Sequence, residues 1–185
     1  MELWDIYDAD KKPTGRTMKR NDWCLKDGEY HLTVLGVVAR PDQTFLITKR
    51  VMTKAWAPGW WEVSGGAAQA GEESYEAVLR EVKEETGYTL TSWKYRAIVT
   101  FVSGDGVTEY MSLFTADGFT GEQIACDEGE LKWVDKKEID RLNLWEGDKI
   151  FFRLLEESEE FFSLKLIYDG NGKLLKAMLN GKPMN

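Results

Sequence analysis

Cysteine is scarce in this chain: Cys24 and Cys126 are the whole supply. Two thiols make no disulfide framework, and without a leader-like opening they read as reduced thiols of a cytoplasmic protein. Histidine occurs once, as His31. A single histidine near a strand start is more often structural than a ligand or an acid–base group. No apolar run approaches the roughly 20 residues of a transmembrane helix. A basic stripe is missing as well, and the net charge of −8 argues against a nucleic-acid polymer or an anionic membrane as partner. Internal repeats and low-complexity linkers are absent.

What is present suits a soluble globular protein: 185 residues, 43% hydrophobic and 30% charged, enough for one domain with a sizeable core. Eight Trp and eight Phe point to a dense core or an aromatic substrate pocket. The expected organisation is a single domain over 1–185, with a hairpin extension at 1–30, a core at 30–160 and a second hairpin at 161–185.

The most informative stretch runs from Gly65 to Tyr88, a glycine-rich loop that becomes a helix. Gly65 and Gly66 let the backbone approach a ligand closely. Glu72 and Glu73 suit a helix N-terminus, and Gly87 suits a C-terminal cap. On a wheel of about 100° per residue with Glu81 at zero, Glu84 falls near −60° and Glu85 near +40°. Tyr75, Val78, Leu79 and Val82 fill the arc from about +60° to +160°. One face is apolar, and its neighbour carries three carboxylates within a turn. Like charges that close raise one another's pKa, and a bound cation would reverse the cost.

Taken alone, Arg80-Glu81-Val82-Lys83-Glu84-Glu85 reads as a solvated, mixed-charge helix face. The full spacing changes that. Gly66, five residues, Glu72, seven residues, Arg80-Glu81-Val82, one residue, Glu84-Glu85, one residue, Gly87 and then Tyr88 resembles the Nudix box, the signature of the Nudix hydrolase family, at all of its fixed positions. A chance match is on the order of 10⁻⁸ per starting position. Tyr88 stands where the family usually has an aliphatic residue, a matter of packing more than chemistry.

The resemblance implies divalent-metal-dependent hydrolysis of a diphosphate linkage in a small molecule, such as a nucleoside diphosphate linked to another moiety. Mg²⁺ and Mn²⁺ prefer carboxylate, carbonyl and water oxygens, and Mg²⁺ leans on substrate phosphates for further ligands. Glu84 and Glu85 are the implied principal ligands, Glu81 a ligand or base, and the Gly65 or Gly66 carbonyl a further oxygen. Arg80 and Glu72 are implied to hold loop and helix together. A basic residue at the end of the second strand of the family commonly faces phosphate, which makes Arg50 a substrate-binding candidate. Trp56 could stack on a base or cover an alkyl chain, and core packing is the alternative.

Around this stretch, strands are expected at 31–40 and 44–50 about a turn, at 61–63, at 90–103 and 108–119 as a hairpin, and at 130–134. Helices are expected at 135–142 and 147–160, and a final hairpin at 161–168 and 173–179. The last hairpin's outward reach offers a sheet edge, a cover for the pocket, or a surface for pairing as a homodimer. Glu122, Asp127, Glu128 and Glu130 are candidates for one more acid, and the sequence does not choose among them. Together these give an α/β (α+β) Nudix fold: a mixed β-sheet sandwiched between helices, with N- and C-terminal hairpin extensions.

Two other functions compete. The opening Glu2–Asp8, followed by Thr14-Gly15-Arg16, resembles the extension of isopentenyl-diphosphate isomerase-like members. Isomerase chemistry needs a Cys near a His-Pro pair, however, and Glu62-Val63-Ser64-Gly65-Gly66 contains neither Cys nor His. A non-catalytic ligand-sensing member often loses box carboxylates, and this chain keeps them all.

Overall fold

A computed structural model describes residues 2–54, 57–127 and 129–184. Trp56 and Glu128 therefore lie outside the described residues. The strands, in chain order, are β1 (Leu3–Tyr7), β2 (Pro13–Lys19), β3 (Tyr30–Ala39), β4 (Thr44–Arg50), β5 (Trp61–Glu62), β6 (Ser64–Ala67), β7 (Thr89–Ser103), β8 (Thr108–Thr120), β9 (Gly129–Asp135), β10 (Phe162–Tyr168), β11 (Leu174–Leu179) and β12 (Lys182–Pro183). Helix α1 spans Ser74–Thr86, α2 spans Glu146–Glu157, and a 3-10 helix covers Lys136–Arg141. Among the described residues no helix is long and apolar enough to cross a membrane.

The strands join into one mixed sheet in the order β12-β11-β10-β7-β8-β3-β1-β2, with β4, β5, β6 and β9 branching from β3. Most neighbours are antiparallel, but β3 runs parallel to β8 and β10 parallel to β7. Strand β3 is the hub. Its first residues pair with β1, Thr33–Gly36 pair with β6, and His31–Val38 pair with β8.

The expected hairpin of the second pair of strands is only briefly realised. Val38↔Leu46 and Ala39↔Phe45 are the pairs made by β3 with β4. Beyond them β4 turns to β9 over seven pairs, Thr44↔Asp135 to Arg50↔Gly129. That divergence frees β3 to accept β6, which carries the glycine loop.

Each face of the sheet is covered by one helix. Ala77, Val78 and Val82 of α1 are fully buried against Val34, Val38, Tyr88 and Phe114. A Cβ at Gly36 would lie 2.8 Å from the Val82 Cγ2 atom and 3.1 Å from that of Val78, so a hydrogen there lets α1 sit close on β3. Tyr88 is buried too, and its ring lies tilted against Phe119 and Trp133, with centroids 4.8 and 6.1 Å away. An aromatic residue thus fills the position where an aliphatic one is usual. On the other face Phe151, Phe152 and Leu155 of α2 pack on Val37, Ile47, Leu113, Leu164 and Leu166.

Helix α1 starts two residues later than its charge pattern suggests. Glu73 is the N-cap, with extended backbone angles, and its N–H donates to Glu76 Oε2 at 3.0 Å. Glu72 belongs to the preceding loop. At the far end Gly87 adopts φ 81°, a left-handed cap, and donates its N–H to the Lys83 carbonyl. The helix expected at 135–142 is a tight 3-10 turn, capped by Asp135 accepting from the Lys137 N–H.

The first hairpin, β1 with β2, buries Trp4, Ile6 and Met18 in a small cluster of its own. His31 is only 2% exposed. Its ring stacks on Trp4 at 5.1 Å and meets Trp23 edge-on, and Nε2 lies 3.0 Å from Glu109 Oε1. The sole histidine thus fastens the hairpin to β3 and β8.

Candidate active site

Strand β6 delivers the glycine loop alongside β3, with Gly65 opposite Leu35 and Gly66 opposite Val34. Both positions exclude a side chain. A Cβ at Gly65 would fall 2.1 Å from the Val34 carbonyl oxygen. One at Gly66 would fall 2.6 Å from the Glu81 carboxylate. The carboxylate of Glu81 therefore rests against bare backbone, which is why two glycines stand there.

Arg80 organises the surrounding charges. Its Nε and Nη2 donate to the two oxygens of Glu72, each at 2.9 Å. Nη2 also donates to the Ala67 carbonyl at 3.2 Å, and Nη1 donates to Glu81 Oε1 at 2.7 Å. A looser contact of 3.5 Å reaches Glu84 Oε2. Glu72 additionally accepts the Gln69 N–H at 2.9 Å. A bidentate guanidinium–carboxylate pair is both strong and geometrically specific. The loop and the helix are tied together through this one side chain.

The electrostatics follow from these contacts. The hydrogen bonds it donates to Glu72, and next those to Glu81, make the Arg80 guanidinium still harder to deprotonate. Burial works to raise the Glu72 pKa, but the Arg80 and Gln69 hydrogen bonds outweigh it and the group ends below its usual value. At Glu81 burial wins over the Arg80 pairing, and the charges of Glu84 and Glu2 push the same way, so its pKa is raised.

The three helix acids do not converge on one point. Glu81 turns inward to Arg80 and Gly66, whereas the Glu84 side chain is 63% exposed. Glu85 is half-buried. Among the described residues no group of three or more acid, His or Cys side chains is drawn together as a metal cluster. The donor set nevertheless fits a hard divalent cation: three carboxylates within about one turn of one helix, one of them against a loop whose backbone is unshielded by side chains. Glu81, Glu84 and Glu85, with the Gly65 carbonyl, are the groups that could hold it.

Arg50, offered by the sequence to phosphate, donates from Nη1 to both oxygens of Glu62 at 2.7 and 2.9 Å. Its backbone anchors the following loop, donating its N–H to the Trp60 carbonyl and accepting from the Gly59 N–H. Of the loop acids, Glu130 sits exposed on β9 and pairs with Lys132 at 3.0 Å. Glu122 lies where its carbonyl would be 2.4 Å from a Cβ at Gly87, at the C-terminal end of α1.

Three residues that the sequence did not single out stand near this frame. Glu62 neutralises Arg50. Asp148, in the first turn of α2, is pushed up to about 8 by burial, with the Glu62 charge adding to it. Asp5 of β1 accepts the Gly71 N–H at 2.7 Å.

Comparison with known proteins follows the same outline. The NUDIX domain family model matches residues 29–155. An uncharacterized Nudix hydrolase of Bacillus subtilis, YvcI, is 37% identical over 95 residues, covering 49% of this chain. The match takes in 60% of that protein, so the chain spans less than two thirds of the relative's length. An oxidized purine nucleoside triphosphate hydrolase of Danio rerio is 30% identical over 132 residues, 70% of this chain and 82% of the relative. Among solved structures, the mutator MutT protein from Bacillus halodurans superposes with a TM-score of 0.73 at 27% identity, over 82% of this chain and 99% of that one.

Proposed function

The chain belongs to the NUDIX domain family, and from that premise we propose that it hydrolyses the diphosphate linkage of a small nucleotide-like molecule with the help of Mg²⁺ or Mn²⁺. The observation that carries this proposal is the network of Glu72, Arg80 and Glu81 seated on Gly66, which ties loop and helix together with the Glu81 carboxylate against bare backbone. A relative that acts on oxidized purine nucleoside triphosphates supports a nucleotide-like substrate. The proposal includes a cytoplasmic enzyme that acts on small molecules rather than polymers, in keeping with the charge of −8.

A divalent ion would neutralise the diphosphate and activate water for attack on phosphorus. The chain's own groups have separable tasks. Exposed Glu84 and half-buried Glu85 would hold the ion from the helix. Glu81, with a raised affinity for protons, is suited to hold the ion or to take a proton from the attacking water. Arg80 and Glu72 would keep Glu81 at its station through their hydrogen bonds.

The test is a product assay over nucleoside triphosphates, oxidized nucleotides, nucleoside diphosphates linked to other groups, and isopentenyl diphosphate, with Mg²⁺ or Mn²⁺. We expect cleavage of a diphosphate bond, and a loss of at least about 100-fold in kcat for Glu84→Gln and for Glu85→Gln. Full activity in both variants overturns the assignment. Double-bond migration in isopentenyl diphosphate, without release of phosphate, would make the chain an isomerase instead.

A further inference from the structure

The family match begins at residue 29, yet the preceding hairpin reaches the glycine loop directly. Three contacts join them. The Ala70 N–H donates to the Leu3 carbonyl at 2.8 Å, the Gly71 N–H donates to Asp5 Oδ2 at 2.7 Å, and Ala67 packs against the Trp4, Ile6 and Met18 cluster. Glu2 also lies near enough to Arg80 and Glu81 for its charge to act on both.

The place of the Asp5 contact matters. Gly71 has φ +80°, and the next residue is Glu72, whose two oxygens grip Arg80. A carboxylate acceptor on the Gly71 N–H fixes the Ala70–Gly71 peptide, the unit just before the one that leads into Glu72. Asp5 is itself held from behind. Its neighbours Trp4 and Ile6 are buried, Ile6 pairs with His31, and Trp4 stacks on the His31 ring. Force on the loop is thus resisted by β3 and β8 through the hairpin.

We propose that Asp5 is a positioning residue for the reaction: by holding the Gly71 amide it sets the Glu72–Arg80 pair, and through that pair the station of Glu81. The hairpin is then part of the catalytic apparatus of this chain although it lies outside the family match. The kinetic half of this proposal rests on the hydrolase reading; the tether itself does not.

Two variants and two readouts test it. Asp5→Ala removes the acceptor, and Asp5→Asn keeps a carbonyl oxygen in its place. For Asp5→Ala we expect kcat to fall at least tenfold with KM within twofold, at a temperature well below melting, and the Gly71 amide to exchange faster with solvent by NMR. Asp5→Asn should restore most of both. Unchanged exchange at Gly71 in Asp5→Ala overturns the tether. Faster exchange with unchanged kcat overturns the positioning role, leaving the contact merely structural. A wild-type protein that cleaves no diphosphate overturns the hydrolase reading alone, and the exchange comparison then decides the tether by itself.

Discussion

A methyl group at position 66 would land 2.6 Å from the Glu81 carboxylate, far inside van der Waals contact. Glu81 is half-buried and pinned by Arg80, so it cannot yield without breaking a 2.7 Å ion pair. Gly66→Ala should therefore cost more activity than stability: a drop in kcat of about 100-fold, against a loss of about 1–3 kcal/mol of folding free energy. Steady-state kinetics beside a urea melt would check it, and wild-type kcat in a folded variant would sink it. The contact of Gly66 with Glu81 lies within the span from Gly65 to Gly87, where the resemblance to the Nudix box points to Arg80, Glu81, Glu84 and Glu85 as the candidates. Asp5 and Gly71 are 66 positions apart, and Glu62 and Asp148 lie on different elements. Such pairings leave no periodic or spaced trace in a sequence. The engagement of Arg50 by Glu62 was hidden for the same reason, since a basic residue at a strand end looks alike whether it faces phosphate or a carboxylate twelve residues on.

Helix α2 shows what tertiary docking does to one element. Its apolar residues Phe151, Phe152 and Leu155 are legible from their spacing, but its start is set by the sheet. A Cβ at Gly147 would meet Leu166 at 2.3 Å and the Tyr168 hydroxyl oxygen at 2.7 Å, and the Gly147 N–H donates to that oxygen at 2.8 Å. This close docking desolvates Asp148 and drives its pKa up to about 8, from 3.8 when unfolded. Folded chain thus keeps a proton that unfolded chain releases. The resulting stability is full at pH below about 4 and is lost as pH rises through about 8. Urea midpoints should fall between about pH 4 and about pH 8, and Asp148→Asn should flatten that fall and add a few kcal/mol of stability at the alkaline end. Glu72, whose pKa is lowered, acts in the opposite sense, losing stability as pH falls through its folded value, so its window lies below this one. An unaltered slope in the variant would refute the assignment. Elsewhere the elements themselves were legible, from β7 with β8 to the closing hairpin. The branching of β4 away from β3 was not, because a short turn between two apolar strands predicts pairing but not how far it extends.

At the scale of the whole molecule, the proposed reaction sets the charge of −8 beside an anionic substrate. A cation held by the helix acids, as proposed, would offset the repulsion among them and from the substrate, so it should bind the folded chain better than the unfolded one. At 100 times its Kd such an ion adds about 2.7 kcal/mol, which for a chain of this size raises Tm by about 5–10 °C. Thermal melts with and without Mg²⁺ should show that rise in wild type and a much smaller one in Glu84→Gln; equal shifts would place the ion elsewhere. The two hydrophobic cores also differ in when their parts exist. Every residue packed beneath α1, from Leu32 to Trp133, precedes α2 in the chain. The opposite core waits for Phe151, Phe152 and Leu155, and then for Phe162, Leu164, Leu166 and Tyr168, which enter only when β10 lies down parallel to β7. A chain emerging from the ribosome at about 5–20 residues per second thus acquires its glycine loop, its acidic helix and the core beneath them first. The half that carries the Nudix box is born before the half built on α2 and β10, and a nascent chain stalled just short of Phe162 carries the whole box beside an unfinished, still adhesive second face.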